Sequence, residues 1–351
     1  MKDNYKKLGE YIKQIDIRNT DLNVSHLLGV SVEKCFIESI ANTIGTDFSK
    51  YKIVRKGQFT YIPDTSRRGD KIGIALLTDF DEGLVSNIYT VFEIIDTSKL
   101  LPEYLMLWFS RPEFDRYARF KSHGSVREIF DWDEMCRVEL PVPDLTEQQR
   151  IVNAYKTVDR RICLLQQINQ KLEATAQTIY RKMFIENKEK NATIEQIYQF
   201  QYGKGNNNPD NGGPYPIYGS NGIIGGYTEY NAENIPVIGH IGSCGSLCFA
   251  AGKIYVTYNG IMCNIINPNY STFGYFTLRS LNLLEQVRGS TQPFISYDML
   301  YEMKIFLPTE KEMLFFEEKA KKIMDRIIQN NNEVSKLKNL KQLIISRISG
   351  M

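Results

Sequence analysis

Short clusters of basic, amide and hydroxyl side chains are the residues of this 351-residue chain whose chemistry is easiest to specify. Arginine pairs with guanine, asparagine and glutamine pair with adenine, and serine and threonine bind phosphate oxygens. The clusters predict nucleic-acid contact, although for any single member an ordinary solvated loop is the alternative. The candidate contact residues are Arg55, Lys56, Arg67, Arg68, Lys121, His123, Ser125, Arg127, Lys204, Asn206, Asn207, Tyr218, Asn221, Tyr258, Asn259, Arg288, Ser290, Thr291 and Gln292.

Motifs of catalysis are missing from the sequence. It contains no GxxxxGK[ST] phosphate loop, and Gly203-Lys-Gly205 is followed by three asparagines rather than by the dinucleotide fingerprint. The tetrapeptide of amino-methyltransferases and the acid-x-Lys pattern of metal-dependent nucleases are also missing. We therefore expect no catalytic residues and no cofactor bound by this chain.

His240, Cys244, Cys248 and Cys263 are candidate ligands for a zinc site. Their spacing matches no common zinc finger, and the segment is typical of glycine-rich strands and turns. The remaining cysteines are Cys35, Cys136 and Cys163, and the whole set is too small for a disulfide framework in a chain of this length. We expect no metal site and reduced thiols.

Length and composition indicate two globular domains in a cytoplasmic protein. Apolar residues make up 42% and charged residues 24% of the chain, an ordinary globular composition. No stretch reaches the roughly 18 apolar residues of a membrane span, and the first residues carry no apolar run of a signal peptide. We therefore expect no membrane association.

Charge alternates along the chain in four segments. Residues 1–143 carry a net charge of −2, residues 144–190 carry +3, residues 191–307 carry −2 and residues 308–351 carry +3. The alternation predicts a duplicated plan of block, helix, block, helix. The near-neutral blocks argue against strong DNA binding by themselves, because affinity comes largely from neutralising phosphates, unless partner subunits supply charge.

An internal repeat supports the duplication. When the chain is aligned with itself so that Gly124-Ser125 falls on Gly289-Ser290, Pro143 falls on Pro308 without a gap. The two blocks also begin alike near Leu8 and Ile194, but at a larger offset, and their middles barely align. His123 aligns with Arg288, and arginine does not usually replace a general base. Shared helices with divergent blocks are typical of one scaffold that carries two specificities.

Each basic segment predicts a helix of roughly 38 residues, about 57 Å long. Thr146 and Gln149 fit a capping box for the first helix, and Thr309 could cap the second. Apolar residues recur every seven positions, which predicts an antiparallel coiled coil; two amphipathic helices packed on their own domains are the alternative. The predicted seam is Ile151, Val158, Leu165, Asn169, Leu172 and Ile179 in the first helix, and Phe316, Ile323, Asn330, Leu337 and Ile344 in the second.

Polar residues interrupt this seam. A buried asparagine weakens a coiled coil but fixes its register. If the helices are centred on each other, Asn330 lies within about a turn of Asn169. Lys341 interrupts the companion series of the second helix.

The blocks themselves have an α+β pattern. In the first block, residues 51–54, 57–62, 71–77 and 85–95 have strand patterns, and residues 102–109 and 112–119 have helix patterns with proline in the first turn. The second block has a turn-rich run over 202–225 and short strands over 235–266. The predicted fold is α+β, with two globular α/β domains separated by two long helices in an antiparallel coiled coil.

This order of segments resembles the specificity subunit of type I restriction–modification systems. The similarity lies in Pro143 with Thr146-Glu-Gln-Gln-Arg-Ile151, their copy Pro308-Thr309-Glu310, the segment 288–293 and the run 215–222. It covers essentially the whole chain. The second helix departs from the pattern, because it reads Glu310-Lys-Glu-Met-Leu-Phe-Phe316.

The resemblance implies two target-recognition domains, each reading half of a split, asymmetric site in double-stranded DNA. It implies that the helices dock two adenine-specific DNA methyltransferase subunits and set the half-site spacing. S-adenosylmethionine would bind to those subunits, and ATP and Mg would serve a separate motor–nuclease subunit. The departure in the second helix makes docking of the second methyltransferase less secure.

Three alternatives remain open on the sequence alone. The chain could be a coiled-coil adaptor that does not read DNA, or a hydrolase built from a duplicated unit, although no acid or nucleophile aligns between the blocks. It could also be the specificity chain of a type IIB-like system whose partner fuses cleavage and methylation.

Overall fold

The computed structural model of the chain divides into two units, and the boundary between them falls within both long helices. Unit 1 comprises Met1–Ile162 and Ser335–Met351, and unit 2 comprises Cys163–Val334. The structure describes residues 5–39, 45–66, 71–123, 128–205 and 208–348. Each long helix therefore contributes one part to each unit and is not a separate segment between them.

Unit 1 combines short strands with helices. Its elements are β1 Tyr5–Lys7, β2 Ile12–Ile15, β3 Leu28–Val30, β4 Phe36–Glu38, β5 Lys52–Arg55, β6 Phe59–Tyr61, β7 Ile74–Leu76, β8 Glu82–Val85, β9 Thr90–Ile94, α1 Pro102–Phe109, α2 Pro112–Lys121, α3 Trp132–Cys136, β10 Glu139–Pro141 and the first part of α4, Leu145–Phe184. Its largest sheet has the order β2-β9-β6-β7 and is antiparallel. The strand predicted over 85–95 is wrong in its first part, because a turn in which Tyr89 N–H donates to Ser86 O separates β8 from β9.

The core of unit 1 is aromatic. Phe59 stacks on Phe92 with 4.9 Å between ring centroids, and Phe109 meets both rings edge-on. All three side chains are fully buried. Both helices that begin with proline, α1 and α2, have the proline at the first turn, where its missing N–H costs no hydrogen bond.

Unit 2 contains more strand than unit 1. Its elements after α4 are β11 Ala192–Thr193, β12 Tyr198–Tyr202, β13 Tyr215–Gly219, β14 Gly222–Tyr227, β15 Ala232–Gly239, β16 Leu247–Val256, β17 Gly260–Ile265, α5 Ser271–Ser280, α6 Tyr297–Tyr301, β18 Lys304–Ile305 and α7 Glu310–Arg347. The six-stranded sheet has the order β12-β17-β15-β16-β13-β14, and only the β13–β16 pair is parallel. Strands β15 and β16 have 8 and 10 residues, longer than the short strands expected there.

The two units repeat one set of pairings. Lys6 pairs with Leu140 in unit 1, and Ala192 pairs with Ile305 in unit 2; the internal repeat aligns Lys6 with Ala192 and Leu140 with Ile305. In the same way β2 pairs with β9, and β12 pairs with β17. The strands between these shared elements differ in number and order. What the internal repeat preserves is this set of pairings, β1–β10 with β2–β9 in unit 1 and β11–β18 with β12–β17 in unit 2, which we call the frame. The strands inside the frame differ between the units.

The starts of the long helices are equivalent, although one predicted cap is wrong. Thr309 and Glu312 form a capping box, with Thr309 N–H donating to Glu312 Oε2 at 2.9 Å. The first helix is capped by Asp144, whose carboxylate accepts from Glu147 N–H at 2.9 Å. Thr146 lies inside the helix, because the side chain of Gln148 is buried and bonded to main-chain groups of residues 99, 101 and 143.

Contacts between the long helices show an antiparallel pair in each unit. In unit 2 the ring of Tyr180 lies 5.6 Å from that of Phe316, and Asn330 Nδ2 donates to Asn169 Oδ1 at 2.7 Å. In unit 1 Lys341 pairs with Asp159, and Ile348 lies in the same buried cluster as Ile151 and Val152. Residue numbers fall along one helix as they rise along the other, which confirms the predicted antiparallel arrangement and the meeting of the two asparagines.

None of the predicted seam positions is exposed. Five of them are buried, namely Ile151, Val158, Leu165, Phe316 and Asn330, and six are half-buried, namely Asn169, Leu172, Ile179, Ile323, Leu337 and Ile344. Asn169 Nδ2 also donates to Asn331 Oδ1 at 2.8 Å. The polar interruption is therefore a satisfied hydrogen-bond network. Within the described ranges, no helix is long and apolar enough to cross a membrane.

Replacing Asn330 with alanine should destabilise unit 2. Asn330 is 2% exposed, and its loss leaves Asn169 Oδ1, at a half-buried position, without this donor, so the free energy of unfolding should fall by about 1–3 kcal/mol. Chemical denaturation measures the change. Asn332→Ala, at an exposed position of the same helix, should change stability by less than about 0.5 kcal/mol; equal effects of the two substitutions would contradict the assignment.

Glu317 makes the stability of unit 2 depend on pH. Its carboxylate is 6% exposed and accepts from Phe273 N–H at 2.7 Å, and burial raises the pKa of Glu317 above its ordinary 4.5. Because the folded state holds this proton more tightly than the unfolded state, the free energy of unfolding falls as pH rises through the interval just above 4.5. Glu317→Gln keeps an oxygen acceptor, so its stability relative to wild type should rise over that interval. If the difference in free energy of unfolding between Glu317→Gln and wild type stayed constant from about pH 4 to about pH 7, ionisation of Glu317 would have no part in stability.

Candidate nucleic-acid interface

A small hairpin closes on itself at the same place in both units. In unit 1 His123 N–H donates to Ile129 O at 3.1 Å, and Ile129 N–H donates to His123 O at 2.9 Å. In unit 2 Arg288 and Phe294 exchange the same pair of bonds, at 2.9 and 2.8 Å. The internal repeat aligns His123 with Arg288 and Ile129 with Phe294. We use the name unit-1 hairpin for the closing residues His123, Glu128 and Ile129, because residues 124–127 lie outside the described ranges, and the name unit-2 hairpin for residues 288–294.

The unit-2 hairpin presents polar side chains at its tip. Ser290, Thr291 and Gln292 are exposed. At its base, Arg288 is also exposed and Nη1 donates to Glu285 O at 2.9 Å and to Val287 O at 3.3 Å. The guanidinium is thus held at the base of the loop, next to hydroxyl and amide groups that can bond to phosphates and base edges.

Gly289 shapes the turn of this hairpin. Its φ is +87°, and a Cβ at this position would lie 2.6 Å from Gln292 O. Alanine would suffer both the unfavourable conformation and the clash. The loop sequence therefore requires glycine for the tip to close.

Gly289→Ala should open the hairpin without unfolding unit 2. We expect amide hydrogen exchange at Arg288 and Phe294, whose mutual bonds close the loop, to become at least about tenfold faster, as a local destabilisation of roughly 1–2 kcal/mol requires. Hydrogen-exchange mass spectrometry measures it. Ser290→Ala, at an exposed position, is the control; unchanged protection in Gly289→Ala would contradict the geometry.

Four other segments of unit 2 meet the hairpin at one end of the six-stranded sheet. They are residues 203–205, 219–222, 239–246 and 257–260, and with the hairpin we call them the unit-2 loop cluster. Ile241 forms a β-bridge with Phe294. The segments are joined by bonds from His240 N–H to Asn259 O at 2.8 Å, from Tyr258 N–H to Gly205 O at 3.0 Å and from the Ser246 hydroxyl to Ser220 O.

The loop cluster brings together most of the candidate residues of the second block. Lys204, Asn221 and Tyr258 are exposed within it, and Asn259 is half-buried. Tyr258 lies against Tyr202, with 5.2 Å between ring centroids. Cationic, amide and aromatic groups therefore share one surface, a composition suited to nucleic-acid contact.

Tyr218 was predicted to contact DNA, but its side chain is buried. Its side chain is 9% exposed and packs in a cluster with Val237, Ile254 and Met262. Burial also raises the pKa of Tyr218 to about 12. Only its main chain faces the loops, where Tyr218 O accepts from Thr257 N–H at 3.0 Å, so the ring is not available to a ligand.

In unit 1 the predicted basic residues do not form one cluster. Arg55 and Lys56 precede the start of β6 and approach Glu82 and Asp81, at 3.8 and 4.0 Å. The unit-1 hairpin lies beyond the other end of this strand, where Phe130 N–H donates to Pro63 O at 2.9 Å. Arg55 and Lys56 therefore do not adjoin the unit-1 hairpin.

Lys121 and His123 do lie at the unit-1 hairpin. His123 is exposed, and Lys121 Nζ lies 3.8 Å from a carboxylate oxygen of Glu134. Arg67, Arg68, Ser125, Arg127, Asn206 and Asn207 lie outside the residues that the structure describes.

Sequence reasoning missed the residues that hold the hairpins in place. In unit 1 Arg119 pairs with Glu128 at 2.8 Å and donates to Thr65 O at 2.9 Å. In unit 2 His240 is 5% exposed, and its Nδ1 donates to Ile295 O at 2.6 Å. The sequence signal for His240 was present, but it was weighed only as a metal ligand. Among the described residues, no group of three or more His, Cys, Asp or Glu side chains could hold a metal ion.

Comparison with known proteins identifies the repeated frame. The family model described as "Type I restriction modification DNA specificity domain" matches residues 3–174 and again residues 188–343. The HindI type I restriction enzyme specificity subunit of Haemophilus influenzae is 26% identical over 167 residues, 47% of this chain and 35% of that protein. The EcoprrI specificity subunit of Escherichia coli is 27% identical over 128 residues, 36% of this chain and 31% of that protein.

These alignments span about a third of each curated relative. A solved type I restriction–modification S subunit from M. genitalium shares the fold, with a TM-score of 0.59 at 16% identity over 98% of this chain and 95% of that chain. The two matches to the family model cover both repeats, including both hairpins and most of both long helices. The chain therefore belongs to the type I restriction–modification DNA specificity family.

Proposed function

We propose that each unit reads one half of a split, asymmetric target in double-stranded DNA. The observation that carries this proposal is the pair of equivalent hairpins, His123–Ile129 and Arg288–Phe294, placed beside sheets of different strand order. A repeated frame with divergent surroundings supports two specificities rather than one. Arg288 and His123 at equivalent positions already present different hydrogen-bonding groups to a ligand.

The second part of the proposal is a division of labour among subunits. The chain supplies recognition, while two adenine-specific methyltransferase subunits dock on the long helices and a motor–nuclease subunit supplies cleavage. S-adenosylmethionine, ATP and Mg then belong to those partners, and the site preference of the assembly comes from this chain. Near-neutral blocks fit this plan, because the partners can supply the positive charge that neutralises phosphates.

The test is to express the chain with its cognate methyltransferase in a host that lacks other adenine methylation, and to map methylated adenines across the genome. The expected result is one motif with two different specified halves and a few unspecified base pairs between them. A continuous palindrome, or methylation with the same motif when the chain is omitted, would overturn the proposal.

A further inference from the structure

We infer that His240 is the positioning residue of the unit-2 hairpin, holding it in the form that reads its half-site; the inference rests on the proposed function. A carbonyl oxygen only accepts, so Nδ1 carries the proton in the 2.6 Å bond to Ile295 O. The main chains are joined as well, since Ile295 N–H donates to His240 O at 3.0 Å. His240 therefore holds the strand that leaves the hairpin with both its ring and its backbone.

His240 also connects the hairpin to other parts of the loop cluster. Its N–H donates to Asn259 O at 2.8 Å, which fixes the turn that carries Tyr258. The imidazole packs against two aromatic rings, 4.4 Å from the ring of Tyr202 and 5.2 Å from that of Tyr258. One buried residue, through its ring and its main chain, thus sets the relative positions of the candidate contact residues on two loops.

Cys244 extends this hold to the end of the hairpin. Its thiol lies 2.9 Å from Pro293 O and 3.3 Å from His240 O, both of which can accept its proton. Cys244 is 7% exposed. The geometry gives a buried cysteine and histidine, once weighed as metal ligands, a role in fixing a loop.

Unit 1 holds the equivalent hairpin by other means. Pro63 O accepts from Phe130 N–H at 2.9 Å, as His240 O accepts from Ile295 N–H, but proline offers no side-chain donor. Instead Thr65 N–H donates to Glu128 O at 2.9 Å, and the Thr65 hydroxyl, 3.1 Å from the same oxygen, donates to Ser122 Oγ at 2.8 Å. Because different residues fix the two hairpins, a substitution at His240 or at Thr65 can loosen one hairpin and leave the contacts of the other intact.

A loosened loop reads bases less well, because part of the binding free energy is then spent on ordering it. A well-placed base contact discriminates against the wrong base by about tenfold or more. Removing the His240 hold should therefore reduce discrimination at one half-site by about tenfold, which corresponds to about 1.4 kcal/mol. Discrimination at the other half-site should not change.

The experiment uses the full chain assembled with its methyltransferase and measures methylation rates on DNA with single mismatches in either half. His240→Leu should lose about tenfold discrimination at the half read by unit 2 and none at the other. His240→Asn, whose side-chain amide can donate to Ile295 O, should recover most of it. Thr65→Val removes the hydroxyl that contacts Ser122 Oγ and Glu128 O, so it should lower discrimination at the half read by unit 1 and leave the other half unchanged.

The outcomes separate the inference from the proposed function. A wild-type assembly without a split target overturns both. A wild-type assembly that reads a split target, with His240→Leu equal to wild type or impaired equally at both halves, overturns the inference alone. Should His240→Leu fail to fold, Cys244→Ala decides: it removes the thiol at Pro293 and must lower discrimination at the unit-2 half only, and full discrimination in that variant overturns the inference.

Discussion

Exchanging residues 191–307 for the corresponding block of a family member with a different target should change one half of the recognised DNA sequence and leave the other half intact. The block lies between α4 and α7, Leu145–Phe184 and Glu310–Arg347, and it contains the whole unit-2 loop cluster. Strands β11 and β18, which pair with each other, both lie inside the exchanged segment. The transplanted block therefore carries both strands of this pair. A half-site lost in this way amounts to several base contacts, each worth about 1–3 kcal/mol.

The matched control is the exchange of residues 1–143, which should alter only the opposite half. Genome-wide mapping of methylated adenine reads both results. If either exchange changed both halves, or if the two exchanges changed the same half, the assignment of one half-site to each unit would be wrong.

Phe316→Ala should be among the most destabilising single substitutions in unit 2. Phe316 is fully buried, and its ring lies 5.6 Å from Tyr180, 5.6 Å from Phe184 and 6.0 Å from Phe276. Truncating such a side chain removes its burial and leaves a cavity, so the free energy of unfolding should fall by about 3–5 kcal/mol. Denaturant unfolding of the full chain, followed by a unit-2 probe, measures it.

Phe315 offers a control one residue away on the same helix. Its side chain is 50% exposed, so Phe315→Ala should change stability by less than about 1 kcal/mol. A larger loss of stability from Phe315→Ala than from Phe316→Ala would show that the buried face of the helix has been assigned wrongly.

The two long helices and their pairing with each other could be predicted from sequence because the signals are local or strictly periodic. A seven-residue period over five repeats determined which face is buried, and the centring of two equal helices was enough to bring Asn169 to Asn330. The internal repeat, which aligns Gly124-Ser125 with Gly289-Ser290, marked these two segments as equivalent, but their closure into hairpins was not predicted. Shared frame elements retain such signals even where the blocks diverge.

What failed depended on contacts between distant parts of the chain. Asp144 and Thr146 are both good helix caps, and the choice between them follows the burial of Gln148 against residues 99 and 101. Tyr218 has a polar, turn-rich neighbourhood in sequence, but β13 pairs with β16 and carries its ring inward.

The central claim is that two units read two half-sites separately, and one measurement tests it most directly. Methylation rates are compared on DNA carrying a substitution in the first half, in the second half, or in both. Independent reading predicts that the free-energy penalties add to within about 0.5 kcal/mol and that exchanging residues 191–307 abolishes only one of them. Strongly non-additive penalties, or the loss of both after that exchange, would contradict the account.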